Sequence, residues 1–206
     1  MSDIAHLAAE LFRRAAGSPR FMVAVAGPPG AGKSHLAARL HELLAAASAA
    51  IVPMDGFHYD NAVLSGRQLL ARKGAPETFD LAGFEALLRR LRAGGEDVAV
   101  PLFDRSADLA RAGASIVPAA TRFVIVEGNY LLLDEDPWRR LSGLFDWRVF
   151  LDVPRAELAR RLVQRWVDHG LSPQAARERA FGNDMANAER VFARRLEPDV
   201  VIAFGD

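Results

Sequence analysis

Residues 24–35 read "AVAGPPGAGKSH", and within them Gly27-Pro28-Pro29-Gly30-Ala31-Gly32-Lys33-Ser34 has the G-x-x-x-x-G-K-[ST] spacing of a phosphate-binding loop. The glycines let backbone N–H groups turn inward around an anion. Lys33 brings a compact ammonium to the outer phosphate oxygens, and the Ser34 hydroxyl suits a magnesium ion. His35 follows at the same helix start. The preceding run "FMVAVA" (21–26) is apolar without interruption, as in a strand buried on both faces. From Lys33 to about Ala47 the chain reads as a helix, whose positive end points at the same anion. Strand, glycine loop and helix in that order decide for an α/β fold.

Working outward, strand and helix patterns keep alternating, which predicts a mainly parallel sheet with helices on both faces. A helix over 3–16 precedes the first strand. "AIVPM" (50–54) is a second strand ending at Asp55, followed by a loop from Gly56 to Phe79. "DLAGFEALLRRLRAG" (80–94) is an amphipathic helix with an Asp cap and a glycine stop. "DVAVPLF" and "ASIVP" suggest a small β-excursion. "FVIVE" (123–127), "WRVFLDV" (147–153) and "DVVIAF" (199–204) are further strands, with helices from about Arg155 to His169 and from Ser172 onward. Neither repeat nor linker interrupts 1–206, so one domain is expected.

Composition narrows the function. Half of the 206 residues are apolar, enough for a sizeable core. Lys plus Arg and Asp plus Glu both total 26, so no global basic field favours nucleic acid or an anionic membrane as partner. Cysteine is absent, which excludes disulfides, thiolate catalysis and Cys-ligated zinc. His6, His35, His41 and His169 lack metal-ligand spacing. The N-terminus does not read as a signal peptide and no apolar run could span a bilayer, so a cytoplasmic location is expected. The sequence does not fix the oligomeric state, and a homodimer is compatible with it. Of 26 cationic side chains, 24 are Arg; the two lysines are Lys33 and Lys73. Ammonium and guanidinium are not interchangeable, so lysine at these places hints at a need for the point charge.

A chain that grips a nucleoside triphosphate either hydrolyses it or hands its γ-phosphoryl to another molecule. Asp55 follows the second strand at the edge where open α/β sheets place ligands. There a carboxylate can take the proton of an incoming hydroxyl or help hold Mg²⁺; a turn-capping role is the plainer alternative. Glu127 ends "FVIVE", where a carboxylate often meets the metal shell. A GTPase would show an N-K-x-D base-reading motif, which is missing, and motor ATPases are usually larger.

"MDGFHYDN", "LSGRQLLARKGAPETFD" and "GFEALLRRLR" resemble the part of pantothenate kinase that follows its second strand. "VAVPLFDRS" and "IVPAATRFVIVEGNYLLL" resemble uridine kinases and phosphoribulokinases. "EGNYLLLDEDPW", "FLDVP", "RLVQR" and "GNDMANAERV" are similar to bacterial members described as fructose transport system kinases or fructokinases. The likeness runs from Phe21 to Val201. It implies a P-loop NTPase three-layer fold with a helical lid at about 155–190, and ATP and Mg²⁺ as cofactors. The implied acceptor is a hydroxyl of a small polar metabolite, a sugar such as fructose, or alternatively a nucleoside or pantothenate. A nucleotide-binding regulator with slow hydrolysis is the alternative of another class.

Carried onto this chain, the resemblance makes Asp55 the base, with Lys33 and Ser34 on phosphate and magnesium and Glu127 beside the metal. Arg161 and Arg165 share a helix face and resemble lid arginines that neutralise the moving phosphoryl; a solvated basic face is the alternative. Arg160 points elsewhere. Phe57, His58, Tyr59, Lys73, Phe103, Asp104 and Arg105 fall in segments the family uses for its acceptor, although Arg105 could simply pair with Asp104. Asn183, Asp184 and Asn187 read either as recognition of sugar hydroxyls or as helix capping around Gly182.

Overall fold

The computed structural model of the chain describes residues 2–44 and 48–203, the side chains of Ser2 and Asp3 excepted. Its strands are β1 (Phe21–Ala26), β2 (Ala49–Pro53), β3 (Val98–Asp104), β4 (Leu109–Val117), β5 (Phe123–Gly128), β6 (Trp147–Asp152) and β7 (Val200–Ala203). The helices are α1 (Ser2–Arg14), α2 (Lys33–Leu43), α3 (Asn61–Gly66), α4 (Leu81–Ala93), α5 (Arg155–Asp168), α6 (Pro173–Arg179) and α7 (Met185–Ala193). Five strands form a parallel sheet in the order β2-β5-β1-β6-β7, while β3 and β4 make a separate antiparallel hairpin.

The unbroken apolar run of β1 has a simple cause. Successive side chains point to opposite faces, and here both faces are covered. Phe21, Val23 and Val25 enter a core built with Leu7 and Leu11 of α1, Leu36 and Leu40 of α2, and Leu158 and Leu162 of α5. Met22, Ala24 and Ala26 enter the other core, with Phe84, Leu88 and Leu91 of α4 and Val98 and Val100 of the hairpin. This is the α/β arrangement that the alternating pattern predicts.

The register then lines up the carboxyl ends. Glu127 of β5 stands level with Val25 of β1 and Pro53 of β2. The glycine loop leaves β1 at this edge, and a 3₁₀ turn, Met54–Phe57, leaves β2 there with Asp55 in it. The second strand thus stops one residue short of expectation, and Asp55 sits on a tight turn. That turn lies against the hairpin. A Cβ built on Gly56 would come 2.3 Å from the Pro101 carbonyl oxygen, so only glycine fits.

Several expectations need correcting. α2 ends at Leu43, where a residue in a turn follows; Ala45–Ala47, expected as helix, lie outside the described residues, as does Phe204 of the last strand. The β-excursion is a full hairpin of seven- and nine-residue strands with an irregularity between Val100 and Leu102. The loop after Asp55 contains the short helix α3, capped by the Asp60 side chain on the Ala62 N–H. A 3₁₀ segment, Trp138–Leu144, has no counterpart in the sequence pattern. The helix from Ser172 is two helices joined by a π-helical turn, Ala180–Asp184. The capping reading of Gly182 fails for that reason: the helical path continues through it. α4 matches its expectation, with the Asp80 side chain accepting from the Gly83 N–H and Gly94 beyond its end.

Gly56→Ala should therefore push the Asp55 turn off the hairpin. The expected cost is about 1–3 kcal/mol, as for other overpacked sites, seen as a thermal midpoint lower by several degrees in a circular-dichroism melt. An unchanged midpoint would show that the turn and hairpin do not depend on this contact.

Candidate active site

The glycine loop takes its shape from positive-φ glycines: Gly30 at 81° and Gly32 at 97° occupy backbone conformations that side chains disfavour. Gly32 is the residue before α2, so the helix opens on the loop with no side-chain cap of its own. Its free N–H groups and the helix dipole together favour an anion there. Lys33, the first helical residue, is buried. Its Nζ donates to the Pro28 carbonyl at 2.9 Å and to Asn129 Oδ1 at 2.6 Å. Burial outweighs the attraction of Glu127 and Asp55, and the ammonium is pushed down to about 8. Asn129 was missed in the sequence; its place directly after the "VEG" strand end was the available signal.

Ser34 Oγ donates to Glu127 Oε1 at 3.1 Å. Burial, and secondarily the charge of Asp55, push the Glu127 carboxyl above its usual range. A hydroxyl and two mutually repelling carboxylates are hard oxygen donors that suit Mg²⁺, which takes one or two carboxylates and completes its shell with phosphate and water. Among the described residues no cluster of three or more His, Cys, Asp or Glu could hold a metal by itself. The donor set therefore fits a magnesium ion arriving with phosphates better than a permanently caged one.

Asp55 Oδ2 accepts from Arg105 Nη2 at 2.9 Å. The alternative Arg105–Asp104 pair is not formed; Asp104 Oδ1 instead accepts from Ser106 N, Ser106 Oγ and Ala107 N, bracing the turn between β3 and β4. His58 Nδ1 lies 2.8 Å from the Asp55 carbonyl. A carbonyl only accepts, so Nδ1 carries the proton and Nε2 keeps its lone pair. Burial holds the imidazole below its usual range, favouring this neutral form. The ring packs on Phe79 and Phe103, with centroids 4.0 and 4.8 Å away.

Other expected acceptor residues have partners within the protein. Phe57 turns into the core against Phe84. Tyr59 carries Arg67 over its ring and lines a cavity with Phe79 and Trp138. The Lys73 ammonium contacts Asn61 Oδ1, the Asp108 carbonyl and Asp108 Oδ1 at 2.7, 2.7 and 2.9 Å, so its three hydrogens are matched by three acceptors. Asn183 donates to the Lys73 carbonyl and Asn187 to Asn183. The π turn thereby docks on the segment that carries Lys73.

Over the glycine loop lies α5. Arg161 contacts Glu157 at 2.7 Å and the carbonyls of Gly30 and Ala31 at 3.3 and 3.5 Å. Arg165 pairs with Asp184, which also accepts from Trp166. Arg160, as expected, faces solvent on Glu157. Between α1, α2 and the end of β7 opens a cavity of about 610 Å³, lined by His35, Gly32 and Arg161 together with apolar residues such as Leu7, Val153 and Ile202. No described helix is long and apolar enough to cross a membrane.

Known proteins are similar to this chain in sequence and fold. The profile described as the Phosphoribulokinase / Uridine kinase family matches residues 22–202. The uncharacterised protein YggC of Escherichia coli K12 is 37% identical over 190 residues, covering 89% of this chain and 77% of its own. A pantothenate kinase of Sorangium cellulosum is 30% identical over 221 residues, covering 93% and 71%. A crystal structure from Silicibacter sp. TM1040, whose assignment as a fructose transport system kinase is itself provisional, is 48% identical. It superposes with a TM-score of 0.92 over 97% of this chain and 98% of that one.

The buried ammonium has a consequence for stability. Folding lowers the Lys33 pKa, so between about 8 and the ordinary 10.4 the unfolded chain binds more protons. Stability should rise with pH across that window, and the penalty is full below it. Lys33→Met should therefore abolish nucleotide binding yet raise the thermal midpoint of the nucleotide-free protein at pH 7. The gain should be on the order of 1–3 kcal/mol and fade towards pH 10. A midpoint lowered at pH 7 would contradict this reading of the site.

Proposed function

We propose, for a chain that belongs to the phosphoribulokinase/uridine kinase family, that this kinase transfers the γ-phosphoryl of ATP to a hydroxyl of a small polar metabolite. The observation that carries the reading is Asp55. It sits on a fixed turn beyond β2, at the sheet edge that also bears the glycine loop and Glu127. A hydrolase needs only to admit water there. This chain instead sets His58 and Arg105 against Asp55, with Phe103 packed on His58, all drawn from the loop and hairpin that follow β2.

In this reading the 610 Å³ cavity, walled by apolar side chains and flanked by His35 and Arg161, takes the base of the nucleotide. The loop from Gly27 to Ser34 wraps the phosphates, with Pro28 and Pro29 stiffening its first half. Lys33 exchanges its two neutral acceptors for phosphate oxygens. Ser34, Glu127 and Asp55 are the residues that would hold Mg²⁺, which when bound screens phosphate charge. The acceptor O–H gives its proton to Asp55 while its oxygen forms the new bond to phosphorus. The bond from phosphorus to the bridging β-oxygen breaks, and that electron pair leaves with ADP. The transition state is loose, so positioning and charge neutralisation do most of the work. Arg161 and Arg165, on one face of α5, would supply that charge on leaving Glu157 and Asp184 as the lid at about 155–190 closes. A sugar such as fructose remains one acceptor compatible with this arrangement.

Asp55→Asn keeps the size of the side chain and removes its basicity. Acceptor-stimulated ADP production should fall by roughly 10²–10⁴-fold, with ATP affinity and thermal midpoint little changed. Near wild-type transfer would remove Asp55 as the base. A lowered midpoint with transfer retained would make it a structural turn residue.

A further inference from the structure

We infer that the acceptor carries an anionic group, a carboxylate or phosphate, close to its reacting hydroxyl, and that Arg105 reads it. The inference rests on the kinase reading above.

Arg105 is delivered to Asp55 by a turn held in place from several directions. Asp104 braces it with three hydrogen bonds. Asp108 ties its far side to Asn61 at 2.8 Å and to the buried ammonium of Lys73 at 2.9 Å. The two carboxylates of the turn are thus engaged within it or on Lys73, and what the hairpin offers to Asp55 is a cation. Among the described residues Asp55 is the only ionic partner of Arg105, and one N–H makes the contact. A guanidinium has five N–H donors, and the Arg105 side chain is 62% exposed. Donors therefore remain for a second oxygen group while the first stays on the base.

A base carboxylate with a guanidinium fork at its side matches a small molecule that has a hydroxyl next to an anion. The hydroxyl reaches Asp55 and the anion takes the free edge of Arg105, the geometry in which arginine holds carboxylate and phosphate by paired bonds. A neutral polyol satisfies only the first contact. The hairpin also gives Lys73 its role: an ammonium meeting three acceptors fixes the turn.

The test follows ADP release from Mg-ATP with matched pairs: glycerol and glycerate, fructose and fructose 6-phosphate. The expected result is stimulation by the anionic member of a pair, at least about tenfold above its neutral partner in kcat/KM. Arg105→Gln should raise KM for that anion by about 10- to 100-fold, as for a lost charge-assisted contact, and leave KM for ATP unchanged. Arg105→Lys should restore part of the affinity. A neutral member that serves as well or better overturns the inference and leaves the kinase reading standing. So does an Arg105→Gln enzyme whose KM rises for ATP alone, which would assign Arg105 to the γ-phosphate. Should every pair be silent, a small-metabolite extract decides: a phosphoester formed on a neutral compound overturns the inference alone, and inorganic phosphate with no new ester overturns both.

Discussion

A buried ammonium that rests on neutral acceptors is the constraint around which this structure is arranged. Lys33 lies in the first turn of α2, hydrogen-bonded to a carbonyl and an amide oxygen, with the carboxylates of Glu127 and Asp55 near enough to act on it. Removing a cation from water is costly unless it is paired. The fold accepts that cost at one point and surrounds it with groups that complement phosphate. The loop N–H groups, the open end of α2 and Arg161 all favour negative charge at the same place. The stability withheld from the free protein becomes available when a polyanion binds.

The second construction is the wall around Asp55, and it is made of segments outside the main sheet. The turn bearing Asp55 is fixed by the closeness of Gly56 to the Pro101 carbonyl. The hairpin holding that carbonyl is fixed in turn by Lys73 through Asp108, and the Lys73 segment by Asn183 of the π turn. The Asp55 turn, the hairpin and the π turn are therefore joined by short contacts between side chains and backbone. The same elements that shape the pocket connect it to the helices above the glycine loop.

The sheet and the phosphate site were legible in the sequence because both rest on local rules. An unbroken apolar run means burial on two faces, and the spacing from Gly27 to Ser34 has one main physical use. The same pattern located the ends of β2 and β5 to within one residue of Pro53 and Gly128, and with them Asp55 and Glu127 at the sheet edge. The acceptor side was less legible because its partners are distant in the chain. Nothing local says that Arg105 bonds Asp55 rather than Asp104, or that Lys73 is saturated by Asn61 and Asp108. The amides at 183 and 187 stood out as poor helix residues, yet their role in docking a π turn on residue 73 depends on the packing of α6 and α7. Phe57, half-buried, packs against the core at Phe84, a placement that turns on which side of a tight turn it leaves.

The central claim is that the phosphoryl group ends on an acceptor rather than on water. Phosphorus NMR of the wild-type protein with Mg-ATP and a small-metabolite extract tests this whatever the acceptor is. A new phosphomonoester signal growing in step with ADP, with little inorganic phosphate, is the predicted result. Inorganic phosphate growing in step with ADP, and no new ester, would contradict it.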